Sequence, residues 1–340
     1  MATVAGSKAL YTAIRSFKEE LNELFVPIAE QASGILLRAA GSDGKIDPRT
    51  SQPVIDRITA LVSRVYVGED GKSAYQNTYE PLSPFAALIN KWHVYTVVNI
   101  VEAHYKLMKR LLRNAPDVWT WLQGSTQQEV IRTNPLVGYD PLHTFVDPKG
   151  YTLSQKIWRN ETEIRLKIDA MMNDYIRRGV SAVDIAKDFE QFLLPAAKGI
   201  KTTKPYGRSA NANSLRLGRT EITAAHGRVT IASAKANPFV TGIIWRLAGS
   251  HKDSDQCDIN AAGSPYPLDK VPDYPNHPND TCSLVPEVTA KPAEVIAGLR
   301  TMIHHNQPAP LTVAAPGNFL RRILGGYLYG QAQRLLAALF

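Results

Sequence analysis

Cysteine is scarce in this sequence, which has two cysteines among 340 residues. A small disulfide-stabilised scaffold needs several cysteines, so that class of secreted protein is excluded. The N-terminal segment becomes charged before the apolar core of a signal peptide can form, and we expect no signal peptide. We therefore expect a soluble protein that is made in a reducing cytoplasm.

Long hydrophobic runs are also missing. The most apolar helix-length stretch, residues 85–112, is interrupted by polar and charged side chains at Lys91, His93, Glu102 and His104. A membrane-spanning helix needs about 20 consecutive, predominantly apolar residues. The stretch therefore predicts a buried or amphipathic helix, and we expect no membrane partner.

Common catalytic patterns are absent as well. The sequence has no glycine-rich phosphate loop, no HExxH and no GxSxG. The enzymatic alternative is a metal-dependent nuclease of the His-Asn-His kind that uses His251, Asn260 and His277. That class usually carries a paired histidine, or Asp-His, at the end of a strand, whereas Lys252 follows His251 here. We therefore expect a protein that is not an enzyme.

The composition is that of a globular protein with an excess of positive charge. Apolar residues make up 44% and charged residues 21%, which predicts a folded chain. The net charge is +8, and segment 198–235 has eight cations against one acid, Glu221. Such a segment favours either DNA contact or a solvated face beside an acidic partner. The candidate DNA contacts are Lys201, Lys204, Arg208 and Arg216.

Apolar residues recur at three- and four-residue spacing along most of the chain, which predicts helices. The first four predicted helices cover residues 5–40, 52–66, 84–113 and 116–133. A helical hairpin follows at 150–195, in which Gly179 ends the first helix and Ser181 caps the second. A basic helix is expected at 213–236, and a short strand at 239–247.

These elements predict a mainly α (α+β) fold in three consecutive parts. Residues 1–140 form a helical N-terminal domain, which ends at a break rich in proline and glycine. Residues 145–290 form a second domain, made of the hairpin, the basic helix and a small loop-rich lobe (239–286) with one or two short strands. Residues 291–340 form a linker and a C-terminal amphipathic helix.

The chemically most varied stretch is residues 217–286. On the basic helix, Arg219 and His226 lie on one face, and Glu221 and Arg228 share another. We expect these side chains to form a polar network that fixes the neighbouring loop, because a buried Arg–carboxylate pair with good geometry specifies one arrangement. Trp245 is expected to pack at the base of the strand.

The lobe also holds both cysteines. Cys257, His277 and Cys282 would supply three ligands of a tetrahedral zinc site. Their spacing matches no C-x-x-C pair, and two alternatives stay open. One is a Cys257–Cys282 disulfide that forms after release from the cell, and the other is a pair of reduced thiols packed in the core. We expect no cofactor, with zinc as the possible exception.

Residues 145–290 contain an ordered series of short motifs. The series runs from GRTE on a helix, through a tryptophan on a strand and DSDQCD, to PNHP and CSLVP. In this order, and in its helical lead-in, the segment resembles the phage Mu F-like minor head protein family. Members often have a second cysteine soon after the first and end in HP-x-C-x-C. Here Ile259 and Asn260 follow Cys257-Asp258, and Ser283 follows Cys282, which weakens the case for zinc.

The resemblance implies a structural virion protein of a bacteriophage, a minor head protein that acts in head morphogenesis. Such a protein assembles in the host cytoplasm and lies inside the capsid at the portal vertex. It contacts portal and capsid proteins, and contact with the packaged double-stranded DNA is a further expectation. The framework of the motif would be Arg219, Glu221, Trp245, Cys257, His277 and Cys282. The alternatives are the nuclease at His251/His277 and a DNA-binding module without a head role.

Overall fold

The computed structural model describes residues 4–69, 71, 73–76, 80–125, 150–194, 209–249, 251, 254–289 and 291–305. These residues form nine helices and two antiparallel sheets of two strands each. The predicted mainly α (α+β) fold class is confirmed. In the same ranges, no helix has the length and the apolar character that a membrane span requires.

The elements follow one another in a simple order. The first half of the chain contains α1 (Val4–Arg38), α2 (Gln52–Ser63), β1 (Tyr75–Gln76), β2 (Glu80–Pro81), α3 (Pro84–Leu111) and α4 (Pro116–Ser125). The second half contains α5 (Leu153–Arg177), α6 (Ala182–Leu193), α7 (Ala210–Lys235), β3 (Gly242–Arg246), α8 (Gln256–Ala262), β4 (Ser283–Glu287) and α9 (Pro292–His304).

The chain divides into two compact units that interleave along the sequence. The first unit comprises Met1–Ile14, Lys91–Phe145 and Arg219–Phe340, and the second comprises Arg15–Asn90 and Val146–Gly218. These units do not coincide with three consecutive domains. The break predicted at 140–145 and the amphipathic helix predicted near the C-terminus lie outside the described residues.

The second unit has an aromatic core. Tyr66 packs edge-on against Phe85 with a centroid distance of 5.3 Å, and Phe17 and Phe25 complete the cluster. All four side chains are fully buried. Helix α2 lies against α5, where Ser63 donates a hydrogen bond of 2.6 Å to Glu161. Apolar packing therefore holds this unit together, and a few polar bonds set its register.

The two helices of the predicted hairpin are present, with their capping signals. Thr152 begins α5 with a reciprocal capping box to Gln155. Gly179 has a φ of +65° just after α5, a left-handed conformation that glycine adopts at no steric cost. Ser181 then accepts a hydrogen bond of 3.1 Å from the backbone N–H of Asp184 at the start of α6.

In the first unit, α7 is buried to an extent that the sequence did not predict. Between Glu221 and Thr230 every residue except Arg228 is buried. The predicted core stripe is right for Ile222 and Val229, whereas Leu215 and Ala232 are partly exposed. Small residues at positions 224, 225 and 227 let neighbouring segments approach this part of the helix closely. The middle of α7 is therefore interior, whereas Arg216 near its start is partly exposed and Lys235 at its end is exposed.

The small sheet of the lobe pairs β3 with β4, and the end of β3 at Arg246 is 37 positions before the start of β4 at Ser283. Trp245 pairs in register with Leu284, and Gly242 pairs with Glu287. The strand predicted at 239–247 is confirmed as β3. Helices α8 and α9 are not predicted from the sequence. At the other end of the chain, Ser7 on α1 forms a buried hydrogen bond of 2.9 Å with Ser283 of β4.

Two helix glycines differ sharply in their surroundings, and this difference predicts opposite effects of alanine. A Cβ atom added at Gly227 on α7 would overlap the ring of Tyr274, whereas one at Gly298 on α9 meets nothing within 4 Å. We expect Gly227→Ala to lower the free energy of unfolding by about 1–3 kcal/mol through overpacking. Gly298→Ala should raise it by up to about 1 kcal/mol through helix propensity. Urea titration measures both, and equal effects would contradict the tight packing at Gly227.

A buried histidine predicts a pH dependence of stability. His104 on α3 is 4% exposed, and burial lowers the pKa of its imidazole from 6.5 to about 4. It lines a cavity of about 350 Å³, which Arg110 and Glu287 also line. The imidazole is protonated at a higher pH in the unfolded chain than in the folded chain. The contribution of neutral His104 to the free energy of unfolding is therefore fully present above pH 6.5 and is lost as the pH falls towards 4.

The loss attributable to His104 should approach about 3 kcal/mol, which corresponds to the pKa difference. Chemical unfolding at a series of pH values measures it. His104→Gln should flatten this part of the profile, and His305→Gln, at the exposed end of α9, should leave it unchanged. An unaltered slope in His104→Gln would refute the assignment.

Candidate functional site

The lobe is built on a compact apolar core beneath the sheet. Trp245 of β3 is 2% exposed and packs edge-on against Tyr274, with ring centroids 5.2 Å apart. The side chains of Cys257 and Cys282 belong to the same core. Tyr274 also donates a hydrogen bond to the main-chain oxygen of Cys282. Three residues of the predicted framework therefore share one packed cluster.

The start of α8 positions Cys257. Asp255 is the N-cap residue, and its Oδ1 accepts a hydrogen bond of 2.6 Å from the backbone N–H of Cys257. Asp258 completes the capping box, because its Oδ2 accepts a hydrogen bond of 2.9 Å from the backbone N–H of Asp255. This geometry turns the Cys257 side chain into the core, where the residue is fully buried.

His251 belongs to this capping arrangement. Its Nε2 lies 2.9 Å from Asp258 Oδ2 and 3.8 Å from Asp255 Oδ1. The hydrogen bond to Asp258 raises the pKa of the His251 imidazole, and the same contact lowers the pKa of the Asp258 carboxyl. The His251 side chain is 15% exposed, and those of Asp255 and Asp258 are 35% and 39% exposed. The contacts of His251 are those of an ion pair that supports the N-terminus of α8.

Asp280 organises the loop that leads into β4, a role that is not among the predictions from the sequence. The residue is 1% exposed. Its Oδ1 accepts a hydrogen bond of 2.8 Å from the Cys282 N–H, and its Oδ2 accepts one of 3.2 Å from the Asn276 N–H. Its main-chain oxygen accepts a hydrogen bond of 3.0 Å from Thr223 Oγ1 on α7. An aspartate two residues before a cysteine is a usable signal for such a turn.

His277 lies at the edge of the same cluster. Its Nε2 is 3.5 Å from Cys257 Sγ and 3.2 Å from Asp255 Oδ2. Its Nδ1 is 3.1 Å from the main-chain oxygen of Pro278, so this nitrogen is placed to carry the ring proton. The side chain is 40% exposed and therefore has room to adjust. Cys257, His277 and Asp255 thus converge on one point.

The two cysteines are free thiols, and both are buried. Burial raises the pKa of Cys257, and the charge of Asp280 raises it further. Burial raises the pKa of Cys282 in the same way. Without a cation nearby both groups therefore keep their protons at neutral pH. Cys257 and Cys282 are not joined by a disulfide in the structure, and the zinc site stays a prediction.

The remaining predicted residues divide into those the structure describes and those it does not. Glu221 is 4% exposed on α7, and Arg219 precedes it. Burial lowers the pKa of the Arg219 guanidinium, and its Nε has no hydrogen-bond partner among the described residues. Of the predicted DNA contacts, Arg216 is partly exposed on α7, and Lys201, Lys204 and Arg208 lie outside the described residues.

The two histidines of the nuclease hypothesis come close to the same carboxylate. Asp255 contacts His277 at 3.2 Å and His251 at 3.8 Å. The third member, Asn260, uses its side-chain oxygen to accept a hydrogen bond of 3.1 Å from Gln256. The nuclease hypothesis stays a prediction.

The bond between Thr223 and Asp280 predicts how strongly α7 holds the lobe. Thr223 is fully buried, so Thr223→Val should leave the Asp280 carbonyl unpaired and cost about 1–3 kcal/mol of unfolding free energy. Thr301→Val on α9 is the control, because its hydroxyl bonds Ala297 on an exposed face and should change stability by less than about 0.5 kcal/mol. Urea unfolding measures both. A loss no larger than that of the control would show that the bond is dispensable.

Comparison with known proteins finds no matching family model, no matching curated protein and no matching solved structure.

Proposed function

We propose that this protein is a bacteriophage minor head protein that acts in head morphogenesis and has a structural, non-enzymatic role. The observation that carries the proposal is the way in which the motif residues fold together. Trp245 pairs with Leu284 across the sheet, and Cys257 and Cys282 lie in the core beneath it. His277 contacts Cys257 at 3.5 Å. Motif residues that contact one another in the core stabilise the lobe, which supports a structural role.

The surroundings of the motif support the same role. Asp280, Tyr274 and Thr223 use their polar groups within the lobe and towards α7. The carboxylates of Asp255 and Asp258 are occupied by helix capping. These hydrogen bonds fix the segments of the lobe against one another, and an assembly protein needs a rigid surface for docking.

The location follows from the resemblance. We place the protein inside the capsid at the portal vertex, after assembly in the host cytoplasm, in contact with portal and capsid proteins. A net charge of +8 suits a protein that lies beside packaged DNA. Arg216 is the described residue among the proposed DNA contacts, and Lys201, Lys204 and Arg208 are the others.

The proposal predicts that the protein co-purifies with phage particles. In density-gradient fractions of particles and procapsids, quantitative mass spectrometry should detect the wild-type protein as a minor component. Trp245→Ala removes a 2%-exposed side chain from the lobe core and should abolish incorporation. Trp158→Ala removes a 45%-exposed side chain on α5 and is the matched control.

Both variants are compared at equal cellular protein level, so that degradation does not imitate a loss of incorporation. Absence of the wild-type protein from both particles and procapsids would refute the head role.

A further inference from the structure

We propose that Cys257, His277, Asp280 and Cys282 form a binding site for one divalent transition-metal ion of the zinc type. The ion would join three segments of the lobe: the start of α8, the loop before β4, and the first turn into β4. Its role is structural, because all four positions are filled by side chains of the protein. This inference stands on the donor atoms of the lobe and does not depend on the proposed head function.

The donor atoms are already spaced for coordination. Cys257 Sγ lies 3.5 Å from His277 Nε2 and 3.6 Å from Asp280 Oδ2. In a tetrahedral site with Zn–S bonds near 2.3 Å and Zn–N or Zn–O bonds near 2.0–2.1 Å, neighbouring donors are separated by about 3.5 Å. Cys257 therefore stands at coordination distance from two other ligand types before any ion is bound.

Two triads of donors meet at Cys257. In the first, the ligand atoms of Cys257, Asp280 and Cys282 all lie within 4.8 Å of one another, and all three residues are buried. In the second, Cys257, His277 and Asp255 satisfy the same limit. The first triad supplies three ligands, and the half-exposed His277 ring supplies the fourth by a small movement toward them. Asp255 is left out because its Oδ1 caps α8.

The contact at Nδ1 of His277 favours the tautomer in which Nε2 can bind a metal ion. His277 Nδ1 faces the Pro278 carbonyl at 3.1 Å, an arrangement that places the ring proton on Nδ1. Nε2 then carries the lone pair, and it points towards Cys257 Sγ and the Asp255 carboxylate at 3.2 Å. In that tautomer Nε2 can bind a cation, which the neighbouring Asp255 carboxylate would also attract.

The negative charge of the buried Asp280 carboxylate also favours a cation beside it. The Asp280 carboxylate is 1% exposed and forms no ion pair with lysine or arginine among the described residues. A buried carboxylate without a cation is costly. Binding of the metal replaces the two thiol protons: M²⁺ + 2 RSH → M(SR)₂ + 2 H⁺. No oxidant or reductant takes part, and the ion supplies the positive charge beside Asp280.

The neighbouring cluster of His251, Asp255 and Asp258 has the same donor types, but we do not include it. Its ligand atoms also lie within 4.8 Å of one another. Helix capping and the His251–Asp258 ion pair already account for its contacts. This cluster therefore provides a matched control on the same lobe.

The test is metal analysis of the full chain, purified under reducing conditions without a histidine tag. After incubation with zinc and gel filtration, elemental analysis should find about one zinc ion per chain. Cobalt in place of zinc should give thiolate-to-metal charge transfer and the intense visible bands of a tetrahedral site. Cys257→Ser and Cys282→Ser should each reduce the bound metal at least tenfold. His251→Asn should retain it.

Two further measurements test the metal site without the cysteine variants, in case one of those variants fails to fold. Removal of zinc from the wild-type protein by a chelator should lower its melting temperature, and added zinc should restore it. Asp280→Asn and His277→Asn should weaken zinc binding while circular dichroism shows the wild-type helix content.

Several results would overturn the proposal. Wild-type protein that retains neither zinc nor cobalt, with both thiols open to alkylation in denaturant, would exclude the site. A mass two hydrogens lower in protein isolated without reductant, with thiols that do not alkylate, would identify a disulfide instead. Metal binding that survives loss of either cysteine would place the ion elsewhere. None of these results bears on incorporation into particles, so the two proposals fail separately.

Discussion

Asp280 is the residue on which the arrangement of the lobe depends. Its carboxylate fixes the loop by accepting hydrogen bonds from the N–H groups of Asn276 and Cys282, and its main-chain oxygen accepts one from Thr223 on α7. The same carboxylate lies 3.6 Å from Cys257 Sγ. Three segments of the first unit therefore meet at one buried residue: the loop before β4, α7 and the start of α8. Burying a carboxylate costs free energy, which these hydrogen bonds offset only while the loop keeps this conformation.

The interior position of α7 explains why such polar contacts are needed. A helix that is surrounded by protein usually carries apolar side chains on every face. This helix instead buries Glu221, Thr223 and Thr230, with small residues between them. Close approach of its neighbours, such as Tyr274 over Gly227, excludes water from these groups. Each polar group therefore specifies which segment lies against the helix, and apolar packing alone would not distinguish the possible registers.

Local signals could be predicted from the sequence, and contacts across the fold could not. Gly179, Ser181 and the apolar spacing of α5 act within a few residues, so they can be identified in one dimension. In α9, Pro292 and the spacing of apolar residues were available as signals, but the predicted linker obscured them. The burial of α7 arises from partners that are distant in the sequence, as in the Thr223–Asp280 bond between residues 57 positions apart, and the contact of Asp280 with Cys257 spans 23 positions. Recognising Cys257, His277 and Cys282 as ligand types was possible, whereas the approach of the Asp280 carboxylate to Cys257 required the fold.

The bond between Ser7 and Ser283 has a consequence for synthesis of the chain. These residues are 276 positions apart, and both belong to the first unit. While the ribosome is still making the middle of the protein, the first turns of α1 have already emerged without the strand that they will contact. The nascent chain must therefore keep this apolar segment, with Leu10 and Ile14, from premature association until β4 has been translated. A transcript truncated before residue 283 would yield a chain whose amino-terminal helix has lost this partner.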